Sequence, residues 1–194
     1  MKKAMAAGGR KRAVLVCALV MVGVGLWLGW GAWGRQPRWV RDAVVSTGLL
    51  RLVPPDAWSL YLRDPDLSRI GRILDLMERD GIPDAAAPEV LRLVRGEAGV
   101  GLQWAALETV GSAVVDRNPA WAHTLPLGRV LTDLAVQTED QQIQEAAALD
   151  LSAVSHLRPP VLGPEDLRRI APLVRSSDRA VSGDIEEALK NATH

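Results

Sequence analysis

The sequence predicts an all-α protein, and three observations carry that prediction. Across residues 67–192 apolar residues recur at helix spacing, proline and glycine breakers fall between most of these runs, and strand signals are scarce. The chain has one Tyr, no Phe and no Asn-Gly hairpin turn, so a β architecture has little to build on.

The elements follow in order from the N-terminus. Residues 1–12 form a basic segment with Lys2, Lys3, Arg10, Lys11 and Arg12. Ala13 to Trp33 then gives 21 consecutive uncharged residues, AVLVCALVMVGVGLWLGWGAW. As a helix this run is about 31 Å long, which matches a bilayer core of about 30 Å. It is apolar all round apart from its glycines, unlike the striped helix of a soluble core. Residues 13–33 are therefore expected to be a transmembrane signal-anchor with the lipid bilayer as partner. Trp27, Trp30, Trp33 and Trp39 crowd its far end, where indole rings favour the headgroup layer and make these four the expected membrane-interface residues. Gly25 and Gly29 form a G-x-x-x-G step that lets two such helices approach, a route to self-association. A cleaved signal peptide is the alternative, with Ala32-Trp33-Gly34 as its exit, but its apolar core is normally 7–15 residues. Cys17 lies between apolar residues and reads as a packed or lipid-facing thiol.

Five basic residues precede the span and three follow it, a weak bias toward a cytoplasmic N-terminus. Cations on both flanks and no acidic residue before Asp42 favour a mitochondrial membrane. A type II protein of the endoplasmic reticulum is the alternative, and Asn191-Ala-Thr193 is formally a glycosylation triplet.

Pro37, Pro54, Pro55 and Pro65 punctuate residues 34–66, a linker with short helices such as Asp42–Arg51 and Ala57–Arg63. Helices are then expected at Leu67–Asp80, Ala87–Arg95, Gly99–Val115, Trp121–Ala135, Asp140–Leu157, Pro164–Val174 and Ser182–Ala192. Asp66 or Ser68 suits the N-cap of the first and Asp140 that of the fifth, while Pro164-Glu165-Asp166 supplies proline and carboxylates to a first turn.

The sequence also repeats itself. Val90-Leu91-Arg92-Leu93-Val94, a polar break and Leu102-Gln103-Trp104-Ala105-Ala106-Leu107 compare with Val130-Leu131-Thr132-Asp133-Leu134-Ala135, a break and Ile143-Gln144-Glu145-Ala146-Ala147-Ala148-Leu149, offset by 40 to 42 residues. A third copy runs from Ile170-Ala171-Pro172-Leu173-Val174 through a break to Ile185-Glu186-Glu187-Ala188-Leu189, and Ile70–Met77 reads as a degenerate capping copy. Units of about 40 residues with two helices each mark helical-repeat arrays. Residues 67–192 resemble the armadillo/HEAT class in particular: a leucine-rich helix ending Leu-Val or Leu-Ala, a short polar turn, then a helix centred on Ala-Ala-Leu. The resemblance implies a protein-binding role for residues 67–194. No Asn stands where many armadillo units place one for contact with a partner backbone, and Pro172 interrupts the third unit, so the usual asparagine ladder is not expected. An irregular helical bundle is the alternative fold. In either, Ala105, Ala106, Ala146, Ala147 and Ala148 permit close helix approach, while Leu107, Leu134, Leu149, Leu151, Leu173 and Leu189 are expected to supply burial.

Charge narrows the partners. Residues 1–41 carry eight basic side chains and no acidic one, which leaves 15 basic against 23 acidic beyond them. An acidic body repels phosphate, so nucleic acid is not an expected partner. Chemistry is hard to find. Phosphate loops, G-x-S-x-G elbows and H-E-x-x-H helices are all missing from the sequence. His123, His156 and His194 lie far apart, and the pairs Glu139-Asp140 and Glu165-Asp166 and the cluster Asp184–Glu187 read as first-turn charges or solvated faces. No catalytic residue, cofactor or metal is expected. Trp104 and Trp121 are the candidate partner-binding residues, with core packing as the competing role for both. The expected function is a membrane-anchored interaction adaptor whose partner protein is unidentified. The alternatives are a structural subunit of a membrane complex and the non-catalytic front part of a larger hydrolase-type protein.

Overall fold

The computed structural model describes residues 43–44 and 55–192. The span at 13–33, its Trp27, Trp30, Trp33 and Trp39 and the Gly25/Gly29 step lie outside the described residues. Among those described, no helix is long and apolar enough to cross a membrane. The chain divides into two compact units, Met1–Ala57 and Trp58–His194. In the first, residues 43–44 and 55–57 are helical.

The described part is all-helical. Its elements are α1 (Pro55–Tyr61), α2 (Leu67–Asp80), α3 (Ala87–Val94), α4 (Val100–Arg117), α5 (Ala120–Thr124), α6 (Leu127–Gln137), α7 (Gln141–Ser155), α8 (Pro164–Ile170), a 3-10 turn at Ala171–Arg175, and α9 (Arg179–Ala192). Burial begins before α2, with Trp58, Tyr61 and Leu62 all enclosed.

Local chemistry explains the boundaries. Asp66 accepts from Ser68 N–H at the start of α2, and Ile70, Ile73, Leu74 and Met77 make its buried stripe. Gly81 closes that helix at φ 93°, a conformation L side chains avoid, and its N–H returns to the Met77 carbonyl. Arg117, from the end of α4, donates to the carbonyls of Asp80 and Arg79 and so satisfies acceptors left open at the end of α2. Asp140 caps α7 by accepting from Gln142 and Ile143 N–H at 3.0 and 3.2 Å. Asp178 does the same for α9 through Ala180 and Val181, which is why that helix begins at Arg179, ahead of the expected Ser182.

Two helices expected as continuous are divided. Trp121–Ala135 breaks into α5 and α6 at Pro126, and Pro164–Val174 becomes α8 plus the 3-10 turn around Pro172. In both cases proline lacks the N–H that the helix ladder needs.

The helices pack in two rows. One row is α2 on α4, α4 on α7 and α7 on α9; in the other α3 touches α6 and α6 touches α8. The pairs α3/α4 and α6/α7, and the 3-10 turn with α9, join the rows. A side-chain hydrogen bond recurs at these joints. Gln103 Nε2 donates to the Val94 carbonyl at 2.9 Å, Gln144 Nε2 to the Ala135 carbonyl at 2.8 Å, and Ser182 Oγ to the Val174 carbonyl at 2.7 Å. Each ties the second helix of a pair to the last turn of the first. Gln103→Ala leaves the buried Val94 carbonyl short of its side-chain donor, so a loss of about 1–3 kcal/mol is expected in denaturant titration of the full chain.

The core follows the helical period. Leu107, Leu131, Ile143, Leu151 and Ile170 are fully buried. Leu149, expected to supply burial, is instead 59% exposed. It sits two residues from both Ala147 and Leu151, about 200° round the helix from each, so it cannot share their inward face. Leu134, Leu173 and Leu189 are half-buried.

Candidate functional site

The same periodicity that fills the core leaves an outward face on the row α2–α4–α7–α9. On α4 this face carries Trp104, Glu108, Ser112 and Val115, spaced three or four residues apart, and on α7 it carries Leu149, Ala153 and the following His156. Between them runs a groove of about 640 Å³, to which α2 contributes Glu78. A second hollow of about 610 Å³ continues it, sharing Val115, Ala153 and His156 and reaching Arg117, Asn118 and Arg158. Val115 is 70% exposed and, like Leu149, lines the groove. Large apolar side chains held in water beside a concavity are characteristic of surfaces that bind.

Asp150 also lines this groove. It is itself buried, and its Oδ2 has no hydrogen-bond partner among the described residues. A Cβ at Gly111 of α4 would overlap Asp150 Oδ1, so glycine leaves the carboxyl room in the position it occupies. Burial pushes this carboxyl well above the ordinary carboxylate range. The folded chain thus keeps a proton that the unfolded chain gives up near pH 4. Stability therefore falls as pH rises above that value toward the folded pKa. Asp150→Asn removes the dependence, so its melting temperature is expected to exceed wild type by more at pH 7.5 than at pH 4. An equal difference at the two pH values would show that the carboxyl is not held protonated.

The surrounding charges are mostly engaged or negative. Arg117 is committed to the carbonyls of α2, and Arg158 donates to the carbonyls of Ser155, Leu157 and Asn191. His156 Nε2 accepts from Asn191 Nδ2 at 3.0 Å and lies 3.6 Å from Glu187. On α9, burial and then the charge of Glu187 raise the Asp184 carboxyl. Elsewhere, Glu89 pairs with Arg63 and Arg92, and the hydrogen bond from Arg63 lowers its pKa most. That cluster ties the segment after α1 to α3. Among the described residues no group of three or more His, Cys, Asp or Glu side chains is placed to hold a metal ion.

The two tryptophans singled out from the sequence part company. Trp104 is 37% exposed, on the groove-bearing face of α4. Trp121 is 2% exposed in α5 and offers no surface to a partner; core packing, its competing role, is the one this burial fits. Sequence reasoning passed over Gly111, Val115, Leu149 and Asp150 as site residues. A signal for Asp150 was present: Ile143, Ala147, Leu151 and Val154 make the inward stripe of α7, and a carboxylate at 150 falls on it. Compared with known proteins, the chain matches no family model and no curated relative.

Proposed function

We propose that this chain is a non-enzymatic protein-interaction adaptor, anchored in a membrane by residues 13–33, whose helical body is a short armadillo-like array. The array reading is supported by the hydrogen bond that Gln103 and Gln144 make at matching places of the sequence repeat, by a comparable bond from Ser182 at the third joint, and by the two rows of helices. The observation that carries the adaptor function is the pairing of exposed Val115 and Leu149 across one groove between successive second helices.

Full-length chain purified from membranes tests it. Leu149→Asp and Val115→Asp lie on exposed positions and should leave the melting temperature unchanged, yet each should reduce a specific co-purifying protein at least about tenfold. Leu67→Asp, at a 54% exposed position on α2 that does not line the groove, serves as the control. Co-purification insensitive to both groove variants would overturn the reading. The structural-subunit alternative predicts loss with Leu67→Asp as well, because neighbours would then cover several faces. For the membrane, we propose a mitochondrial address. A C-terminal tag on mitochondria that protease reaches without permeabilisation supports this; a protected tag in the endoplasmic reticulum points to the type II alternative.

A further inference from the structure

Resting on that docking reading, we infer that the groove between α4 and α7 binds a lysine or arginine presented on an otherwise apolar segment of a partner protein, with Asp150 as the anion that receives it.

Three independent features converge on this chemistry. The first is the orphaned carboxyl. A buried acceptor without a donor is a standing cost in a folded protein, and Asp150 Oδ2 is such an acceptor in a residue that lines a groove instead of a closed core. Gly111 is the second. A side chain there would push the carboxyl from its place, so glycine is what leaves Asp150 room at the groove. The third is the sign of the walls. Glu78 from α2 and Glu108 from α4 line the same groove, while Arg117 and Arg158 beyond its end are occupied by backbone carbonyls. A cation entering here meets negative charge on the walls from Glu78 and Glu108 and, beyond them, a carboxyl able to release its proton, while Val115 and Leu149 cover the apolar residues beside it.

The proton balance is simple. Without a cation beside it Asp150 keeps its proton; when an ammonium or guanidinium docks, that proton leaves to solvent and the carboxylate accepts hydrogen bonds from the cation. Trp104, farther along the same face of α4, extends the apolar contact for a segment longer than the groove itself.

The experiment is a peptide selection followed by a double-mutant cycle. A random 12-residue peptide library is panned on the full-length chain held in nanodiscs, and each enriched peptide is resynthesised with its basic residue replaced by norleucine. Enriched peptides are expected to place Lys or Arg next to Leu, Ile or Trp. Asp150→Asn, nearly isosteric and checked by thermal melting, is expected to weaken them on the order of 30-fold. Norleucine peptides should lose the same factor on wild type and almost nothing further on Asp150→Asn, which isolates the pair. Peptides that need Leu149 but lack a basic residue, or a cycle without coupling, overturn the cation site and leave docking intact. Failure to enrich any peptide sensitive to Leu149→Asp overturns docking and the cation site together.

Discussion

A chain carrying Val20→Asp and Val22→Asp is expected to move from the membrane pellet to the supernatant on carbonate extraction. Both positions lie near the centre of the 21-residue uncharged run, where a single aspartate costs about 2.5–3.5 kcal/mol on insertion scales. Together the two cost about 5–7 kcal/mol. Four tryptophans at one end and basic residues at both hold such a span in register, but interfacial anchoring cannot offset two charges at the bilayer centre. Val20→Leu with Val22→Leu is the matched control and should stay in the pellet. Carbonate-resistant binding of the aspartate variant would falsify the transmembrane assignment.

Leu151→Ala is expected to be the most damaging truncation in the helical body. Its helix, α7, packs against α4, α6 and α9, and Leu151 is fully buried. Removing a leucine side chain from such a site costs about 2–5 kcal/mol, against about 5–15 kcal/mol for the stability of a whole domain. Two residues earlier on the same helix, Leu149→Ala should change stability by no more than about 0.5 kcal/mol, because Leu149 stands in solvent. Urea titration of both variants, followed by far-UV circular dichroism, checks the contrast. Similar losses at 149 and 151 would mean that α7 is rotated relative to the packing described.

That pair of residues also shows what the sequence could and could not convey. Helix positions were legible because apolar spacing, Asp caps and glycine breaks act within a few residues of each other, as at Asp66, Gly81 and Asp140. Gln103 and Gln144 stand at equivalent places in the self-similar segments, although nothing in that likeness announced that both reach back to a carbonyl nine residues earlier. Composition misled where it replaced geometry. Leucine at 149 was counted as core from its identity, while its angle from Leu151 placed it outside. Pro172 was noted inside an otherwise periodic run while Pro126 was passed over, and both outweighed the periodicity, because a missing N–H acts on the turn where it falls. Trp104 and Trp121 looked alike in sequence, and only the packing of α4 and α5 separates an exposed indole from an enclosed one. The groove was the least legible feature, since it arises from three helices and from the lack of a side chain at Gly111.

The two-row packing has a kinetic consequence. Its main contacts join α2 to α4, α3 to α4 and α6, α4 to α7, α6 to α7 and α8, and α7 to α9, so each step along the rows closes a loop of modest length. Loop-closure entropy grows slowly with length, and rates follow the mean sequence separation of contacts. Nucleation at any adjacent pair can then spread to its neighbours in either direction, without waiting for the two ends of the body to meet. Such a body can begin to assemble while later helices are still being synthesised.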